Sequence, residues 1–271
     1  MNHLLVHLVP LTLVAFRLSG LFIFAPMITG VTIPIKVKGL LCFIMAAGMF
    51  GLVRTNVPTD VPPDFFSFAA VAIGEVVIGA VIGLLALIPV AAVQLGGVII
   101  GQQMGLSLAT VFDPSTDSES EVVAQLLMYG ALLVFVLFGG LDVLFLAVAK
   151  SFTNVPIGGF LWTEHPVSAL TMITGMIGSG MELALRVSTP VLGIVLIETI
   201  ASGMLMKTVP QMNIMSIGFG IKVILGIGAI ILSLNAINDA VGGHVTGSSR
   251  FLFAWPPLLP SPPAAGVLPN G

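Results

Sequence analysis

"FAAVAIGEVVIGAVIGLLALIPVAAVQLGGVIIGQQMGLSLAT", residues 68–110, is the stretch that decides the fold. Glu75 is its one charge. A single bilayer crossing takes about 20 apolar residues, and this run is too long for one crossing. Pro89 lies midway. An internal proline removes a backbone donor and clashes with the preceding turn, so the run reads as two helical segments. Irregular backbone at membrane depth survives only where protein or a water cavity satisfies it.

Working outward, further apolar stretches cover residues 4–33, 39–53, 122–149, 168–206 and 214–237. The first is expected to break at Pro10 or Pro26 and 168–206 at Pro190, while 39–53 is short. These odd lengths predict an all-α, polytopic membrane protein of bent helical hairpins, broken at Pro and Gly and packed against other subunits. Composition agrees. The chain has 271 residues, 57% hydrophobic and 8% charged, with a mean hydropathy of +1.14, whereas a soluble domain is about one quarter charged.

A net charge of −3 gives no nucleic-acid footprint. The lone Cys42 excludes an internal disulfide and a cysteine metal cluster. The N-terminal run carries no positive charge before Arg17 and no small-x-small site at 24–26, so it is expected to be retained. Lys36 and Lys38 lean towards the cytoplasm by the positive-inside rule. No Lys or Arg lies between Arg54 and Lys150, which leaves the orientation of 55–149 open. Residues 1–245 read as one membrane domain. Residues 246–271 read as a Pro-rich, flexible tail that opens on an aromatic patch, Phe251 to Trp255.

The run from 68 leads into "GLSLATVFDPSTDSESEVVAQ", residues 105–125, where Asp113, Asp117, Glu119 and Glu121 crowd a chain that is otherwise mostly apolar. An EF-hand is excluded, because Ser118 replaces the required Gly and Ala124 the terminal Glu. Pro114 is expected to stop the preceding helix, and Ser118-x-x-Glu121 is a capping-box pattern before the apolar run from Val122. The loop is a break with a defined restart.

Arg17, Glu75, Asp142, Glu182, Arg186 and Glu198 interrupt apolar runs, and Lys222 falls in the last of them. Such charges face a partner or a cavity. Glu182 and Arg186 are spaced i, i+4 with the acid first; a structural ion pair is favoured over a proton relay, since Glu198 does not continue the series. Gly79 with Gly83, and Gly97 with Gly101 and Gly105, recur every four residues and flatten a helix face for close packing. Met204, Met206, Met212 and Met215 fill gaps in the core or form a compliant seal or subunit contact. His3 and His7 lack the third ligand of a metal site, and "GGLD" at 139–142 only approximates a protease motif. No catalytic constellation and no cofactor motif is present, so no enzyme is expected.

"FRLSGLFIFAPMITGVTIPIKVKGLL" (16–41), "GQQMGLSLATVFDPSTDSESEVVAQLL" (101–127) and "TPVLGIVLIETIASGMLMKTVPQMNIMSIGFGIKVILG" (189–226) together resemble the FliR family. That is the membrane export-gate component of bacterial flagella, with homologues in virulence type III secretion. The resemblance runs in order to about residue 240. It implies a hetero-oligomeric, helical export gate with FliP and FliQ, with FlhB and FlhA nearby, in the inner membrane at the flagellar basal body. The cargo is unfolded flagellar proteins, and the energy comes from elsewhere.

The segment matching 106–121 is implied to plug the closed channel. In that reading Gly105 gives flexibility, and Leu106, Leu108, Val111 and Phe112 seal. Ser107, Asp113, Pro114, Asp117, Glu119 and Glu121 belong to the same loop, whose acids keep it loosely packed. Where the family often carries a Gly-His pair, this chain has Gly140-Leu141-Asp142, so no role tied to that His carries over. The alternatives are a virulence export gate and, further off, a self-sufficient secondary transporter. The transporter predicts two matching halves, and no internal repeat is evident.

Overall fold

The structure is a computed structural model that describes residues 2–29, 34–53, 65–106, 122–158, 166–208 and 214–254. Every regular element among these residues is an α-helix: α1 (Asn2–Phe24), α2 (Pro26–Thr29), α3 (Ile35–Val53), α4 (Phe65–Gln103), α5 (Val122–Leu137), α6 (Gly140–Asn154), α7 (Pro166–Thr208) and α8 (Ile214–Ala254). Helix is what such sequences must form in lipid, since no water is present to satisfy a free N–H or C=O. Phe65–Gln103, Ile173–Leu205 and Gly218–Asn235 are each long and apolar enough to cross a membrane. The bent pair of α5 and α6 makes a fourth if read as one span. The chain is a polytopic membrane protein.

The prolines correct one expectation. The break at Pro26 is present, as Ala25 separates α1 from α2. Pro10, Pro89 and Pro190 instead lie inside continuous helices. One proline deletes a single ladder bond, and flanking turns and nearby hydroxyls can absorb it. Pro190 deletes the bond to the Arg186 carbonyl, and the turn just before it is tied by the Ser188 and Thr189 hydroxyls, which both donate to the Leu185 carbonyl, at 3.1 and 2.6 Å. Continuity makes these helices long. At about 1.5 Å per residue, the 39 residues of α4 have a contour length of about 58 Å, well beyond the roughly 30 Å hydrocarbon core. Helix α8 continues to Ala254, past residue 245, and residues 255–271 lie outside the described residues.

Two compact units emerge. The first holds α1–α3, α4 as far as Ala86, α6 and the start of α7. Leu13, Val14, Leu18 and Leu21 of α1, Ile78 and Ile82 of α4, and Val148 and Phe152 of α6 form its core. The Cys42 thiol of α3 is buried and donates to the Ala15 carbonyl of α1 at 3.3 Å. Helices α1 and α4 meet backbone to backbone. A methyl group added at Gly20 would strike the Val76 carbonyl, and one at Gly79 the Arg17 carbonyl. Gly83 faces the Leu21 carbonyl in the same way.

The second unit holds α4 from Leu87, α5, α7 from Gly175 and α8 to Thr246. Its core includes Val93, Ile100, Ala124, Leu127, Leu183, Val191 and Ile230. Large apolar side chains remain uncovered around both units, among them Ile35 and Leu40 of α3, Ile197 and Ile200 of α7, and Ile224 and Leu232 of α8. In water such surfaces would aggregate; here they suit lipid or other subunits.

Candidate functional site

In the second unit, the place where the polar loop leaves α4 is built in detail. The Leu106 N–H donates to the Gly101 carbonyl and the Gly105 N–H to the Gln102 carbonyl, both at 3.1 Å. This pair of bonds is a Schellman closure, and its turning residue must be left-handed. Gly105 has φ 81°, a conformation that side chains with a Cβ resist. Gly105 therefore ends α4, nine residues ahead of the expected stop at Pro114. It works as a fixed cap where the sequence suggested only flexibility.

Two contacts hold this helix end. A methyl group at Gly97 would lie 2.6 Å from the Ala124 Cα, so α4 packs directly on α5, the helix that restarts after the loop. Val122 opens α5, as the restart signal predicts. Met104, 1% exposed, presses on Gly226 of α8. Gly96, which the four-residue spacing did not single out, faces the Ala184 carbonyl and Val187 of α7. Gly101 is buried and supplies the carbonyl of the cap.

The geometry constrains the loop from its ends. Gly97 and Gly105 are about 12 Å apart along the helix, and Gly97 touches the first turn of α5. A chain from Gly105 to Val122 can reach well over 50 Å at about 3.3 Å per residue, several times the gap. Ser107, Leu108, Val111, Phe112, Asp113, Pro114, Asp117, Glu119 and Glu121 lie outside the described residues, as does the capping box at Ser118. Leu106 is half-buried.

The first unit contains a charge centre with no exposed atom. Arg17 and Glu75 are both fully buried. The Arg17 Nε donates to Glu75 Oε2 at 2.5 Å, Nη1 to the Ser151 Oγ at 3.0 Å and Nη2 to the Val155 carbonyl at 3.2 Å. Its guanidinium also lies 4.1 Å from the centre of the Phe152 ring. The second carboxylate oxygen of Glu75 accepts the Gly158 N–H at 2.9 Å. Gly158 has φ 81°, which aims that N–H inward. One buried pair thus joins α1, α4, α6 and the turn after α6. Removal from water is costly for both ions, and only this full set of partners makes it tolerable.

The second unit has two further pairs. Glu182 and Arg186 meet at 2.8 Å one turn apart, both about two-thirds uncovered, so they form an ion pair within the chain, on the face of a segment long and apolar enough to cross a membrane. Glu198 is buried. Its Oε1 accepts the Ser202 hydroxyl at 2.5 Å, while Lys222 Nζ stands 3.9 Å from Oε2. Oε2 has no hydrogen bond. The sequence placed Glu198 and Lys222 in apolar runs and did not link them. Met204 is exposed, and the side chains of Met206, Met212 and Met215 lie outside the described ones. Among the described residues, no group of three metal-ligating side chains converges.

A sequence model of the family described as "Bacterial export proteins, family 1" matches residues 8–247. The chain is 34% identical over 189 residues to the flagellar biosynthetic protein FliR of Pectobacterium carotovorum subsp. carotovorum, covering 69% of this chain and 70% of that one. It is 33% identical over 214 residues to FliR of Escherichia coli (strain K12), covering 78% of each. It is also 25% identical over 247 residues to the surface presentation of antigens protein SpaR of Shigella sonnei, covering 91% and 93%.

Proposed function

Because the chain belongs to the bacterial export proteins of family 1, we propose that it is a non-enzymatic subunit of the flagellar type III export gate. It sits in the inner membrane at the basal body and joins FliP and FliQ around the channel for unfolded flagellar proteins, with FlhB and FlhA as neighbours. The observation that carries this reading is the match across residues 8–247. Two physical features support it. The long helices exceed one bilayer thickness, and their uncovered apolar faces suit packing against other subunits as well as lipid. No cofactor is required, since proton motive force and an ATPase elsewhere in the apparatus drive export.

The loop of residues 106–121 is the plug. Helix α4 before it and α5 after it pack on each other at Gly97 and Ala124, and a stretch of this number of residues is long enough to reach into a lumen. A polar, acidic sequence fits a wet channel and would be costly against lipid. Deleting residues 110–120 should leave the assembled gate leaky to small ions; a gate as tight as the parent would refute the plug. The family as a whole also supports a second reading, a virulence export gate, through the 25% identity to SpaR. The higher identities to two FliR proteins favour the flagellar system.

Gentle solubilisation of a tagged chain from its own cells tests the reading. FliP, FliQ and basal-body proteins in the eluate are expected. Virulence-secretion proteins instead would change the system served, and a stable chain that elutes alone would overturn the gate.

A further inference from the structure

Among the described residues, one buried side-chain atom is left without a hydrogen-bond partner, the Glu198 Oε2. The Glu198 side chain is 3% exposed, and its other oxygen accepts the Ser202 hydroxyl at 2.5 Å. Lys222 Nζ stands 3.9 Å from Oε2, beyond hydrogen-bond range. A Cβ built on Gly218 would meet nothing closer than Glu198 Oε1 and Ser202 Oγ, each at 3.8 Å, so α8 sets no side chain there against the carboxylate. Glu198 lies ten residues before the end of α7 and Lys222 eight after the start of α8. At about 1.5 Å per residue, they are about 15 and 12 Å from those ends, near half the roughly 30 Å hydrocarbon thickness.

We infer that the Lys222 edge of the α7–α8 hairpin is wetted: a water bridges Glu198 and Lys222, and this edge forms part of the conduit wall. The assignment to the conduit rests on the export-gate reading. A carboxylate oxygen without a donor is too costly to keep at membrane depth. Oε2 is closed off from any neighbouring subunit's side chain, so its donor is a group as small as water. Polar groups held more than 3.5 Å apart are at the spacing that one water spans. Lys222 is 27% exposed, and its ammonium carries the contact from the buried oxygen to the surface. Lipid chains offer no acceptor to its N–H groups. Water in a cavity does, and in an export gate the cavity at that depth is the channel. Ile224 gives the contrast. It is 72% exposed at nearly the same depth, but it lies on the other side of α8, on one face with Ile227 and Ile231.

Cysteine accessibility of the assembled gate tests the wetted edge, in membrane vesicles treated with a membrane-impermeant, positively charged thiosulfonate. The native thiol, Cys42, is buried, so the parent supplies the background. Ser202→Cys and Lys222→Cys should each react at least about tenfold faster than Ile224→Cys, the rate ratio that about 1.4 kcal/mol of added barrier in an apolar setting produces. Ser202→Cys leaves Glu198 and Lys222 in place, so it decides the matter where Lys222→Cys does not assemble. Background rates at both 202 and 222, or equal rates at all three positions, would overturn the wetted edge. Co-purification of FliP and FliQ with the labelled chain separates the two readings. Slow labelling in complexes that contain both partners overturns the wetted edge alone. Fast labelling of a chain that elutes without them supports the bridging water and refutes its place in the gate.

Discussion

Replacing Arg17 with Leu probes the buried charge centre. The substitution removes three hydrogen bonds, to Glu75, Ser151 and the Val155 carbonyl. Ser151 keeps its bond to the Val148 carbonyl, so its loss is small. Glu75 keeps only the Gly158 N–H and is left as a buried carboxylate without its cation. Breaking such a pair from one side costs about 3–5 kcal/mol. The orphaned Val155 carbonyl adds about 1 kcal/mol, for a total of roughly 4–6 kcal/mol. Arg17→Lys retains the charge, but one ammonium cannot reach all three acceptors, so a cost between that of Arg17→Leu and none is expected. The double variant Arg17→Leu, Glu75→Leu removes both ions and should recover most of the loss, since a buried pair is often no more stabilising than its apolar replacement. Denaturant titration of the purified complex, followed by protease sensitivity at the turn after α6, gives the ordering. Equal stability of Arg17→Leu and the parent would refute the reasoning, and so would a double variant less stable than either single one.

Three shorter predictions follow from the packing and the second unit. Gly79→Val should sharply reduce the chain recovered in assembled complexes, because its side chain would collide with the Arg17 carbonyl; Gly48→Ala, with open space around it, should be neutral or gain up to about 1 kcal/mol in helix propensity. Lys222→Met should destabilise more than Glu198→Gln in the same titration, since the first leaves a carboxylate with 3% exposure unpaired and the second leaves an ammonium with 27% exposure. Arg186→Gln should cost more than the roughly 0.5 kcal/mol of a pair on a water-facing surface, because it strands the Glu182 carboxylate within a segment long and apolar enough to cross a membrane.

What could be read from the sequence follows the range of the forces involved. The apolar runs mark the helices because lipid rewards them residue by residue, and the run from 68 to 110 contains nearly all of α4. Glu182 and Arg186 were legible as a pair because a single helical turn links them. Arg17 and Glu75 are 58 residues apart, and no spacing rule connects them; each announced only that some partner must exist. Lys222 and Glu198 were hidden for the same reason. Proline was overweighted. Its penalty at 89 and 190 is local, while the demand for a hydrogen-bonded backbone acts along the whole helix. At Gly105 the opposite happened: glycine was taken for freedom, and it supplies the one backbone angle that a tight cap demands.

The glycine contacts divide the molecule by how its sequence can drift over generations. At Gly20 and Gly79 the obstacle to any larger residue is the facing main chain, which no second substitution can trim. Those sites can change only if two whole helices shift together, a move that no single mutational step supplies. At Gly226 the obstacle is a side chain, so a larger residue there can be matched by a smaller one at 104. Across related gates, the α1–α4 joint should hold its glycines while positions 104 and 226 vary as a linked pair, each change in size answered by its opposite.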